Sequence, residues 1–188
     1  GRVERAFREA GLPNAKIYFH VTRGSAVRNH TWPADLKPNF FLTVSEVVDN
    51  PEEKARGIAV CTHPDLRWKR CDIKSLNLLP NILARQEAAD KGCNEAILVD
   101  EAGLITEGAG SAFFAIVAGA LVTAPLTANV LPSVTRRFVT KAATNIGLPI
   151  DERCLTPAQA AVADELFIAV TTKDIVPVVR FDGAVISH

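Results

Sequence analysis

Between Glu95 and Thr123 the chain runs through four short apolar segments with no room for a helix between any of them. Glu95–Val99 alternates into a turn at Asp100-Glu101-Ala102-Gly103, residues 104–106 return, and Ala112–Val117 and Ala120–Thr123 form a hairpin around Gly119. Connections this tight join antiparallel neighbours, because a parallel crossover needs about a dozen residues or more. A doubly wound sheet made wholly of βαβ units is therefore excluded, and the fold class is α+β.

The flanking regions add helices and further strands. Residues 3–11 read as a short helix closed by Gly11 and Pro13, followed by a strand at Ala15–Thr22. Arg23-Gly24-Ser25 breaks that strand, a polar loop runs through Arg28-Asn29-His30-Thr31-Trp32-Pro33, and residues 39–47 form a second strand. Asp49-Asn50-Pro51-Glu52-Glu53-Lys54, polar and proline-containing, is the linker candidate, so the domains are 1–49 and 50–188.

Residues 57–62 give another strand. Residues 77–91 carry Leu79, Ile82 and Leu83 at helical spacing, with Gly92 as the terminator. Ser133 caps a helix running to Gly147 with Arg136, Arg137 and Lys141 on its polar side, and Thr156-Pro157 opens a shorter one. Residues 165–171 and 175–181 are strands, and Asp182-Gly183 turns the last hairpin. The pattern predicts about ten strands and four helices.

Composition narrows the function classes. With 48% apolar and 22% charged residues in 188, the chain is sized for one substantial globular core. Its 21 basic and 21 acidic side chains cancel, which argues against a nucleic-acid or membrane-surface binder. The apolar runs are too short to span a bilayer. Cys61, Cys71, Cys93 and Cys154 are widely spaced without a CxxC pair, so we expect no metal site and reduced thiols in a cytoplasm. His20, His63 and His188 are scattered. The chain lacks methionine and opens inside a helical pattern at Gly1-Arg2-Val3-Glu4, from which we expect a fragment of a longer polypeptide.

Several residues could carry chemistry. Lys74 lies between Ile73 and a Leu-rich run in Cys71-Asp72-Ile73-Lys74-Ser75-Leu76-Asn77-Leu78-Leu79. A lysine in apolar surroundings loses ammonium solvation and becomes a nucleophilic amine of the kind a Schiff base requires; a lysine at a strand end instead keeps its head in water. Glu107, in Thr106-Glu107-Gly108-Ala109-Gly110-Ser111, is a strand-end carboxylate beside two glycines. If buried it needs a cationic partner, and a protonated pyridine nitrogen would serve. The helix opening at Ser133-Val134-Thr135-Arg136 offers amides and a positive dipole end to a phosphate, as any capped helix does, and Thr171-Thr172 could add donors. Arg28 and His30 point the same way in extended chain and could together grip a carboxylate.

Taken together, these segments resemble fold-type IV pyridoxal-phosphate enzymes, most closely the D-amino acid aminotransferases. The likeness rests on Ile17-Tyr18-Phe19-His20-Val21-Thr22-Arg23-Gly24, Arg28-x-His30, the stretch from Arg70 to Leu79, and Glu95-Ala96-Ile97-Leu98. It continues through Ile105-Thr106-Glu107-Gly108 and Thr135-Arg136 to Asp164-Glu165-Leu166-Phe167. It implies a two-domain fold, with the small N-terminal domain incomplete and the cofactor-binding domain truncated at its C-terminus.

It also implies pyridoxal 5'-phosphate held by Lys74 as a Schiff base, with Lys74 then shuttling a proton. Glu107 would face the pyridine nitrogen, Leu131 would cover the ring, and Val134, Thr135 and Thr171 would hold the phosphate. Arg28 and His30 would trap the substrate carboxylate from the partner subunit of a homodimer. The implied reaction is transamination between a D-amino acid such as D-alanine and a 2-oxo acid such as 2-oxoglutarate. A branched-chain aminotransferase or an aminodeoxychorismate lyase of the same fold is the alternative, as is a catalytically idle relative if the N-terminal part is absent.

Overall fold

A computed structural model describes residues 1–186; His188 lies outside them. The chain divides into two compact units, Gly1–Asp49 and Asn50–His188. In the first unit α1 (Arg2–Ala10) ends at Gly11, and β1 (Ala15–Thr22) pairs antiparallel with β2 (Asn39–Glu46). No residue of this unit is buried, and Tyr18, Phe19, Phe40 and Phe41 are exposed on the ribbon. A two-stranded ribbon alone buries too little to be stable by itself.

The second unit opens with α2 (Pro51–Arg56), where the sequence suggested a linker. The Asn50 side chain accepts a hydrogen bond from the Glu53 amide at 3.1 Å, and Pro51 fills the first helical turn. This is ordinary N-cap chemistry that overrides the polar composition. There follow β3 (Ile58–Pro64), α3 (Leu79–Asp90), β4 (Glu95–Val99), β5 (Ile105–Gly108), β6 (Ala112–Val117) and β7 (Ala120–Thr123). The chain continues with α4 (Val134–Asn145), β8 (Ile150–Glu152), α5 (Pro157–Ala160), β9 (Glu165–Val170), β10 (Asp174–Phe181) and β11 (Ala184–Val185).

The strands form one nine-stranded sheet in the order β5-β4-β3-β10-β9-β6-β7-β8, with β11 on β10. Pairing is parallel at β3–β4, β3–β10 and β7–β8, and antiparallel elsewhere. The β6–β7 turn takes positive φ at Ala118 and Gly119, which matches the twist of the hairpin it closes. Ile58, Val60, Ile97, Phe113, Leu166, Val178 and Phe181 centre the main core.

Two expectations about helix faces reverse. Leu79, Ile82 and Leu83 of α3 are exposed, and the helix instead buries Ala84 and Ala88 near Cys61, Ala96 and Ala109, where small side chains permit close approach. Arg136 of α4 is buried, its Nη2 donating to the Ala124 carbonyl at 2.9 Å and to Glu152 Oε1 at 2.8 Å. Among the described residues no helix is long and apolar enough to cross a membrane.

Candidate active site

Every residue of β5 is buried, so Glu107 is held in the sheet by Ile105 and by its pairing with β4. Its side chain is only 7% exposed, a position that a carboxylate occupies only with partners. Arg67 supplies one: Nη1 donates to Glu107 Oε1 at 2.6 Å. The Leu131 amide supplies the other, at 3.1 Å to Oε1 and 3.3 Å to Oε2. Oε2 is thus the less satisfied oxygen.

Most of the Arg67 fork goes elsewhere. Its Nε and Nη2 donate to the two Asp65 oxygens at 2.8 and 2.7 Å, and Nη2 also reaches the Asn129 carbonyl at 3.1 Å. Thr106 Oγ1 gives Asp65 a further bond of 3.0 Å. Buried Glu107 and partly buried Asp65 therefore share one guanidinium, and the ionised cluster is short of one positive charge. Burial pushes both carboxyls up. For Asp65 the Arg67 bonds outweigh burial and hold it below its ordinary 3.8. For Glu107 they do not, and it stays above its ordinary 4.5.

The next carboxylate along the sheet is Glu95, also buried. It accepts from the Ala96 amide at 3.0 Å, Ser111 Oγ at 3.1 Å and Arg85 Nη1 at 3.2 Å. These bonds shape the loop after Glu107, which Asn81 pins by donating to the Ala109 carbonyl at 2.7 Å. A Cβ at Gly108 would collide with Ser111 Oγ and crowd the Ser111 carbonyl, so any other residue there would displace Ser111.

The other residues singled out by sequence distribute as follows. Lys74 is exposed in the loop before α3, as are Ile73, Leu76 and Leu78, so this stretch does not itself enclose the amine. The loop is tied to the site by the Asp72 amide, which donates to the Ala128 carbonyl at 3.2 Å. Together with the Asn129 and Leu131 contacts, this brings the lysine's loop, β5 and the 128–131 segment to one place. Ser133 caps α4 through the Arg136 amide at 3.2 Å, so Val134 and Thr135 occupy the first turn, whose amides have no intrahelical acceptor. Thr171 is exposed in the turn between β9 and β10. Arg28 and His30 are exposed in the loop between β1 and β2 of the first unit.

The profile of the family described as Amino-transferase class IV matches residues 2–181. The chain belongs to the class IV aminotransferase family. Its relatives in that family include the D-alanine aminotransferase of Bacillus licheniformis, 37% identical over 170 residues that cover 90% of this chain and 60% of that protein. The branched-chain amino acid aminotransferase of Escherichia coli matches in structure with a TM-score of 0.86 and 26% identity, over 100% of this chain and 64% of that one. The branched-chain amino acid aminotransferase of Thermobaculum terrenum, solved in its PLP form, gives 0.79 at 23% identity, over 100% and 70%. At that identity the likeness is one of fold alone. The chain spans about three fifths of the length of the B. licheniformis relative.

Reading the sequence alone missed Arg67 and Asp65. A signal existed: a buried carboxylate on a strand demands a cation, and Asp65-x-Arg67 puts a preformed pair on one side of extended chain just after β3. That reading looked for the counter-charge of Glu107 only in a pyridine nitrogen; the structure provides part of it from Arg67.

Proposed function

We propose that this chain is the greater part of an enzyme that binds pyridoxal 5'-phosphate and exchanges amino groups between a D-amino acid, such as D-alanine, and a 2-oxo acid, such as 2-oxoglutarate. The observation that carries the reading is Glu107, a buried carboxylate with one weakly satisfied oxygen in a cluster short of one positive charge. A protonated ring nitrogen supplies that charge, and the first-turn amides of α4 suit a phosphate. The residues therefore fit the cofactor. The 37% identity to a D-alanine aminotransferase supports the D-amino acid assignment.

Bound here, the cofactor supplies an electron sink that acidifies the substrate's Cα–H. Glu107 would keep the ring nitrogen protonated, Leu131 would pack against the ring, and Val134, Thr135 and Thr171 would hold the phosphate. Lys74 Nζ would hold the cofactor covalently and, when free, would take the Cα proton as a general base. Arg28 and His30 grip the substrate carboxylate, contributed by the partner subunit of a homodimer. The outward Leu76, Leu79, Ile82 and Leu83 give such a partner an apolar surface to cover. Four free cysteines fit a cytoplasmic setting.

The test is turnover by the complete protein with added pyridoxal phosphate. D-alanine with 2-oxoglutarate should be the productive pair. Arg28→Ala should raise KM for D-alanine about tenfold or more, the size of one charge-assisted contact, with the cofactor's visible absorbance unchanged. Preference for L-leucine would move the assignment to a branched-chain enzyme, the reading that the E. coli structure favours. No cofactor absorbance at all would overturn both.

A further inference from the structure

Glu107 and Asp65 are unequal claimants on one guanidinium. Asp65 takes both arms of the Arg67 fork, the Arg67 amide at 3.2 Å and the Thr106 hydroxyl, whereas Glu107 takes a single Nη1–H. Asp65 and Arg67 also line a cavity of about 220 Å³ with Cys71 and Asn129, and Glu107 does not. Water can thus reach the Asp65 end of the pair, while Glu107 depends on what Arg67 has left to give. We propose that Arg67 and Asp65 are positioning residues that set how much negative charge Glu107 presents to the ring nitrogen. Arg67 draws charge onto Glu107, and Asp65 limits how far it can do so.

The proposal rests on the cofactor reading above for the identity of the guest, but the tuning belongs to the chain itself. Arg67 and Asp65 are the charged groups with the largest influence on Glu107 among the described residues. The Cys71 thiol lies near the same cluster, and burial pushes it up, so it stays neutral while the carboxyls titrate. A buried carboxylate between one cation and one anion responds with opposite sign to the loss of each.

The experiment is infrared titration of the complete protein without cofactor, following the carboxyl band that disappears in Glu107→Gln. Arg67→Met should raise the pH at which Glu107 loses its proton by about one unit or more, and Asp65→Asn should lower it. Arg67→Lys, which keeps the charge and loses the fork, should fall between wild type and Arg67→Met. If Arg67→Met does not fold, Arg67→Lys and Asp65→Asn carry the test. Shifts of opposite sign support the proposal; unchanged titration, or shifts in one direction for both, overturns it. Failure of wild-type protein to develop any absorbance band with pyridoxal phosphate is a separate result, which overturns the proposed function and leaves these titrations readable.

Discussion

Glu95 and Glu107 lie on adjacent strands, both buried, both held above their ordinary range by burial, and each facing an arginine. They differ in how their oxygens are used. Glu95 has the amide of its strand neighbour Ala96 on one oxygen, with Ser111 Oγ of the loop after Glu107 and Arg85 of α3 on the other. Glu107 has its stronger bonds on Oε1, and Oε2 keeps only a 3.3 Å contact. An ionised carboxylate offers about four acceptor sites. Where donors fill both oxygens the acid is architecture. Where one oxygen is left short, in a cluster one charge from neutral, the acid has room for a further donor, as the proposed cofactor role requires.

The largest expected effect separates the two acids in turnover. Glu107→Gln should lower kcat/KM for D-alanine and 2-oxoglutarate about 100-fold or more, the usual size for losing one preorganised charge at a reacting centre. Glu95→Gln keeps the shape and most of the hydrogen bonding, and should change kcat/KM by no more than about threefold. Steady-state kinetics on the complete protein checks both. Equal losses would erase the distinction between them.

How much of this was legible in sequence follows from how local the cause is. The β6–β7 hairpin, the Thr156 cap and the Ser133 cap were readable because alternation and capping residues act within a few positions. The α2 helix was not, because Asn50-Pro51-Glu52-Glu53 serves equally as a linker composition and as a capped first turn. Strand β8 was also missed: its three residues are all exposed, so no apolar period marks them. Glu107 was legible as a candidate from its glycines. Its engagement with Arg67 was not, because partners so far apart in sequence meet only through the sheet. The same limit applies to Arg136, whose burial depends on Ala124 and Glu152 closing over it.

A smaller effect concerns stability against pH, where the two acids should behave alike. Each folded-state carboxyl sits above its ordinary value of 4.5, so the native state binds more protons than the unfolded state in the window just above it. Stability is fully present below that value and is lost as pH rises through the raised one. Glu95→Gln should remove its share of this loss. Urea unfolding at about pH 5 should show near-equal stability for variant and wild type, with the variant gaining by about pH 8. A gain that is constant across pH would mean that packing changed rather than ionisation.

The smallest expected effect tests the arginines. Arg85 is half exposed, at 50%, whereas Arg67 is 8% exposed, although both contact a buried carboxylate within 3.2 Å. Solvent screens the Arg85 charge, and without it Glu95 keeps Ser111 Oγ and the Ala96 amide. Arg85→Met should therefore cost less than about 1 kcal/mol at neutral pH, the ordinary worth of a screened pair. It should also steepen the decline of stability with pH, because Glu95 would then rise further above its ordinary value. A loss in acid as large as the loss at neutral pH would show that Arg85 acts through its alkyl stem on α3 and not through its charge. In that case hydrogen bonds from Ser111 Oγ and backbone amides hold Glu95, and its contrast with Glu107 rests on hydrogen bonding and not on the arginine.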